Sequence, residues 1–162
     1  MSEEKFEVEV IAPLYPTESK EAVIRAILNI VPAEMEEIKT VRGKPSFLKL
    51  RKSGYETLMR IHRLLREERI LDTARDMLIS SLKRCGIMML LLHKQAAYMG
   101  ELRLCSSEDE SPLGVIKVKL NFKGDTSLFL DWLTPKTISG KVPKEVKIQE
   151  LIESRTSSSQ IY

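Results

Sequence analysis

The run Ile87-Met88-Met89-Leu90-Leu91-Leu92 decides how the chain is read. Six apolar residues without alternation predict a strand covered on both faces at the centre of a sheet, or covered on one face and placed at a subunit contact. Gly86, just before it, suits the position after a helix C-terminus, where a positive φ is tolerated. Upstream, Tyr55 to Arg84 contains no Gly or Pro and carries two apolar stripes at helical spacing: Leu58, Ile61 and Leu65, then Ala74, Met77, Leu78, Ser81 and Leu82. One helix of that length would span about 45 Å, long for such a chain. Two helices are expected instead, breaking near Arg69 to Asp72, with Asp72 as the second N-cap.

Downstream, Lys94 to Met99 reads as a turn or an approach to a second strand. Glu101 to Cys105 and Val115 to Phe122 both alternate, so three consecutive strands are expected to form an antiparallel meander. Toward the N-terminus, Lys5 to Ala12 alternates with Phe6, Val8 and Val10 on one face. Thr17 stands as an N-cap, followed by a helix through Ala22, Val23, Ala26, Ile27 and Ile30 that Pro32 stops. Met35 to Val41 reads as a second strand. The stretch KTVRGKPSFLKLRKSG (39–54) reads as a strand end and a loop, with a short turn of structure at Phe47 to Leu50. Thr126 to Leu133 is a short packing helix, Lys144 to Ser154 a marginal one, and SRTSSSQIY a tail. The fold class is α+β: a mainly antiparallel sheet with helices packed on one face, in the order β-α-β-α-α-β-β-β-α. Residues 1–134 are expected to form one domain and 135–162 a C-terminal extension.

The 162 residues are 43% hydrophobic and 30% charged, the composition of an ordinary folded domain. The start, MSEEKFEVEV, lacks the basic region and apolar stretch of a secretory signal, and no apolar run approaches the ~20 residues of a membrane helix. A cytoplasmic, membrane-free protein is expected. Cys85 and Cys105 read as two buried free thiols rather than a disulfide or metal pair, since no ligand spacing accompanies them. His62 and His93 lack companions and read as structural. No glycine-rich phosphate loop, nucleophile elbow or metalloprotease motif is present, so neither a catalytic residue nor a cofactor or metal is assigned.

The net charge of +3 averages two unlike regions. Lys39 to Arg84 holds 13 basic and 5 acidic residues, whereas the remainder holds 13 basic and 18 acidic. Lys39, Arg42, Lys44, Lys49, Arg51 and Lys52 occur in one stretch with no acid, and Arg60, Arg63 and Arg66 recur on the following helix opposite its apolar stripe. These nine residues are the candidate phosphate contacts, with loop and helix forming one continuous basic surface. Phe47 or Tyr55 would stack on an unpaired base, which favours RNA over duplex DNA. The competing reading is a solvated charged face, or a homodimer contact in which this patch meets acidic lobes.

Four stretches carry a family resemblance: IAPLYPTE (11–18), RILDTAR (69–75), HKQAAYMGEL (93–102) and SPLGVIKVKL (111–120). Together they resemble an archaeal family of uncharacterised proteins described as RNA-binding, akin to a predicted exosome-subunit group. The resemblance spans about Phe6 to Phe122. It implies a fold like that of the ribosomal protein that binds 5S rRNA, an antiparallel sheet backed by helices, and implies no activity. Within the matched words, Lys94 and Gln95 follow the apolar run and, with Arg75, are candidates to hold a phosphorylated small molecule. A hydrogen-bonded turn at Lys94 and Gln95, and pairing of Arg69 and Arg75 with Asp72 or nearby acids, are the structural alternatives.

Overall fold

Parity organises the molecule. In the computed structural model, which describes residues 5–153, the inward strand residues of the sheet are even-numbered: Phe6, Val8, Val10 and Ala12; Leu48 and Leu50; Met88, Leu90 and Leu92; Ile116, Val118, Leu120 and Phe122. The strands are β1 (Phe6–Leu14), β2 (Lys39–Val41), β3 (Ser46–Ser53), β4 (Met88–His93) and β5 (Val115–Phe122), in the antiparallel order β2-β3-β1-β5-β4. Side chains alternate across a strand, so a register pairing even with even residues puts one apolar set on one face. The helices cover that face, and among the described residues no helical layer covers the odd-numbered one.

Among the described residues, six α-helices accompany the strands: α1 (Lys20–Ile30), α2 (Met59–Glu67), α3 (Leu71–Cys85), α4 (Lys94–Tyr98), α5 (Thr126–Leu133) and α6 (Ile148–Ile152). The α+β class and the antiparallel sheet are as the sequence implies. The helix pair breaks as expected, with Arg69 in a left-handed conformation at φ 58°. Asp72 is not the cap, however. Ile70 occupies that position, while Asp72 accepts hydrogen bonds from the backbone N–H and hydroxyl of Thr137 at 3.2 and 2.6 Å. Ser19, not Thr17, caps α1, accepting from the Ala22 amide at 3.3 Å.

Four sequence expectations are corrected by the folded structure. Residues 39–54 are a β-hairpin rather than mostly loop, and β3 lies inside the sheet between β2 and β1. Only Lys39–Val41 of the expected Met35–Val41 strand is extended, because Met35–Glu37 forms a 3₁₀ turn. The apolar run is an edge strand, not a central one. Its odd residues Met89 and Leu91 are half-buried on the open face. The expected meander is interrupted as well: Lys94–Tyr98 is helical, β4 pairs directly with β5, and 101–105 contributes one bridge, Leu92 to Leu104, along the outer side of β4.

The core is closed at one end by aromatics. Phe6 packs on Phe122 at 4.9 Å between ring centroids, and Phe122 stacks on Phe129 at 5.1 Å. Trp132, on the short packing helix read from the sequence, lies 6.0 Å from both Phe6 and Phe129 and 4.8 Å from the His62 ring. Leu151 of α6 is fully buried in the same core, so the chain beyond 134 returns to the body as far as 153. The tail reading of 154–162 lies outside the described residues.

Candidate nucleic-acid interface

The nine basic residues fall on different faces. Strand alternation puts Lys49 and Arg51 on the open side of the sheet and Lys52 on the helix side. Lys39 pairs in register with Lys49 and therefore shares the open face. Arg42 and Lys44 occupy the turn joining β2 to β3. Arg60, Arg63 and Arg66 lie on α2, in the helical layer. The continuous surface of loop and helix expected from the sequence is thus divided by the sheet itself.

Most of these cations have partners within the fold. Lys49 pairs with Glu9 at 3.3 Å, Arg51 with Glu7 at 3.2 Å and Lys52 with Glu37 at 2.9 Å. The Glu34 backbone N–H, and after it the Lys52 ammonium, hold the Glu37 carboxyl below the usual carboxylate range. On α2, Arg63 meets Glu67 at 3.3 Å, and Arg60 donates to the Leu28 carbonyl at 2.6 Å. Arg66 is a tie: its guanidinium donates to Glu145 at 2.8 and 3.0 Å, to the Trp132 carbonyl at 3.0 Å and to the His62 carbonyl at 2.8 Å. Among the described residues, Lys39, Arg42 and Lys44 have no ion pair or side-chain hydrogen bond, and all three are exposed.

Of the two stacking candidates, Phe47 is 38% exposed on the open face. Tyr55 belongs to the other side, packing edge-on against Phe6 at 6.3 Å. Beside Phe47 lies a shallow groove of about 560 Å³ formed by Ile11, Pro13, Val41, Phe47, Lys49 and Lys117 and lined also by Glu108 and Asp109. Lys117 and Lys119 were visible in the sequence only as the polar half of an alternating strand. Nothing local in VIKVKL says which other strands they join.

Of the small-molecule candidates, Lys94 and Gln95 line one open cavity beside α1, whereas Arg75 lies outside it. Lys94 is 4% exposed, and its ammonium donates to the carbonyls of Pro13 and Leu113 at 2.7 Å each and to Glu18 at 3.0 and 3.1 Å. Burial pushes its pKa down, partly offset by Glu18. Gln95 is exposed at the start of α4. Arg75, on α3, binds Asp131 at 3.0 Å and the Thr134 carbonyl at 2.9 Å. His93 caps α4, its Nδ1 accepting from the Ala96 amide at 3.3 Å. His62 is half-buried against Trp132, which, with Arg66 nearby, pushes its pKa down to about 4. Cys105 is buried, as expected, but Cys85 is exposed, and both are free thiols. Among the described residues, no group of His, Cys, Asp and Glu has the arrangement of a metal site, and no helix is long and apolar enough to cross a membrane.

A single antiparallel sheet, backed by helices and presenting charged and aromatic side chains on its bare face, defines an α+β protein built around an open sheet surface. The chain belongs to the RNA-binding family whose model matches residues 7–122, the archaeal UPF0201 proteins. It is 36% identical to the UPF0201 protein of Aeropyrum pernix over 143 residues, covering 88% of this chain and 94% of that one. With the UPF0201 protein of Sulfolobus acidocaldarius it shares 41% over 132 residues, covering 81% and 88%. A crystal structure of a UPF0201 protein superposes with a TM-score of 0.64 at 30% identity, over 81% of this chain and 94% of that one. The UPF0201 structure from Methanococcus jannaschii gives 0.67 at 26%, over 85% and 99%.

Proposed function

We propose that this protein binds RNA without catalysing its turnover, and that the β2–β3 hairpin is the primary contact. The observation that carries this is the set of three exposed, unpartnered cations, Lys39, Arg42 and Lys44, gathered around exposed Phe47. A cation already paired in the folded protein must give up its carboxylate to meet a phosphate. An unpaired one gives up only water and displaces the counterions of the nucleic acid. Lys49 and Arg51 extend the contact along β3, while Arg60, Arg63, Arg66 and Lys52 serve the fold through the contacts described above. A non-catalytic reading is supported by the shifted groups: His62, Lys94 and Glu145 each owe their shift to packing or to an internal ion pair. Membership of a family described as RNA-binding agrees with it.

Filter binding of total RNA at about 50 and about 200 mM salt tests the proposal, because log affinity should fall linearly with log salt. Lys39→Ala/Arg42→Ala/Lys44→Ala should weaken binding and flatten that dependence; an unchanged triple variant refutes the hairpin as the contact. A second reading, self-association through the same face, is favoured by the exposure of Val41 (48%) and Phe47 together. Sizing at low and high salt separates the two, since a dimer closed through this face would exclude RNA.

A further inference from the structure

The register of the open face sorts its side chains into rows across the strands. Lys39 lies opposite Lys49, Lys49 opposite Ile11, Ile11 opposite Lys117, and Lys117 opposite Leu91. Three lysines therefore share one row crossing β2, β3, β1 and β5. With strands about 4.8 Å apart, Lys39 and Lys117 are about 14 Å apart at the backbone. Two residues further along, a distance of about 6.8 Å, a second row runs Val41, Phe47, Pro13. A cationic row thus lies beside an aromatic and apolar one. The groove noted above follows both. On the opposite side of the lysine row, Arg51 and Lys119 flank Glu9 in the next row. Glu9 thus lies on that side of the track, and Glu108 and Asp109 line the groove itself.

We propose that these two rows form a track for unpaired RNA, with phosphates over Lys39, Lys49 and Lys117 and a base stacked on Phe47. This deepens the hairpin reading and rests on it. A duplex hides its base faces within the stack and offers Phe47 nothing to cover, whereas a single strand has both a free base face and a flexible backbone. The track places Lys117, from a strand remote in sequence, in the contact alongside the hairpin. Two of its lysines are held by carboxylates at rest, Lys49 by Glu9 and Lys117 by Glu108 at 3.2 Å. Glu108 is mostly exposed, and surface pairs of this kind contribute little, so a phosphate displaces it readily.

The test is fluorescence anisotropy with a labelled oligouridine and, separately, a labelled blunt RNA duplex. Phe47→Ala should weaken oligouridine binding about tenfold and leave duplex binding unaffected. Phe47→Tyr should retain it, with circular dichroism confirming that each variant is folded. Lys117→Gln should lower the log–log salt slope for oligouridine by about 0.7, and Glu108→Gln should tighten binding roughly two- to fivefold. Equal affinity for both RNAs with no effect of Phe47→Ala overturns the track and leaves the hairpin reading standing. Failure of either RNA to bind at low salt overturns both. A dimer that Phe47→Ala dissociates and that ignores RNA also overturns both, and assigns the face to self-association.

Discussion

Removing the Lys94 ammonium should cost more stability than any surface charge in the molecule. Lys94 and Glu18 form a buried pair, with side chains 5% and 8% exposed, and the ammonium also joins the carbonyl ends of β1 and of the segment before β5. Glu18 accepts in addition from the Tyr15 amide at 3.0 Å, and the Tyr15 ring lies 5.6 Å from the ammonium. Lys94→Met retains the unbranched apolar stem but removes the Nζ, leaving a buried carboxylate and two carbonyls without their donor. Breaking one side of a buried pair costs about 3–5 kcal/mol, and each abandoned buried carbonyl adds to it. Against a total stability of about 5–15 kcal/mol, that is a large fraction. The pair should also be insensitive to added salt, because ions screen buried charges poorly. Equilibrium urea unfolding at neutral pH, followed by circular dichroism, measures each quantity. Glu18→Gln should cost less, since the amide oxygen still accepts. The double variant Glu18→Gln/Lys94→Met should cost less than the sum of the singles, with a coupling of about 1–3 kcal/mol. A Lys94→Met cost below about 1 kcal/mol, or singles that simply add, would refute the assignment of Lys94 as the pin of this sheet end.

Lowering the pH should destabilise the protein through His62. Its folded pKa of about 4 lies below its ordinary 6.5, so between those values the unfolded chain binds the extra proton. Stability should therefore fall from about pH 6.5 to about pH 4. The loss should reach about 2 kcal/mol once water at the half-buried ring is allowed for, and His62→Gln should flatten the profile of urea midpoint against pH. Glu145, held low by Arg66, extends the loss to more acid pH, because its contribution disappears as pH falls through its depressed pKa. Gly86→Ala and Gly114→Ala should differ in thermal melting. Both positions have positive φ, but a methyl at 86 meets open space whereas one at 114 comes within 2.6 Å of the Pro13 ring. The first should cost about 1 kcal/mol and the second clearly more. Phe129→Ala, which empties the centre of the aromatic cluster, should cost about 3–5 kcal/mol by urea unfolding.

Local pattern made the α+β class legible. Period-two alternation in β1 and β5, helical spacing in α1, α2, α3 and α5, and Gly86 at a helix end all depend on neighbours within a few residues. The hairpin was harder to see. Gly43 and Pro45 mark a turn, but SFLKLRKS carries charges on both faces, since Lys52 turns inward to meet Glu37. Its strand character is supplied by β1, whose paired residues lie 32 to 46 positions earlier in the chain. The apolar run of β4 misled for a related reason: composition reports that both faces avoid water, not how many neighbours a strand has.

The candidate site divides along the same line. The sequence by itself determined where positive charge is concentrated, that Phe47 stands among it, and which residues of each strand share a face. Only the tertiary structure decided which cations remain free, because their partners Glu7, Glu9 and Glu145 arrive from distant segments. It also decided that the sheet separates the hairpin from α2 and that Lys117 joins the Lys39–Lys49 row. Charge and periodicity are properties of short stretches of chain, whereas neutralisation and register are properties of pairs that folding brings together.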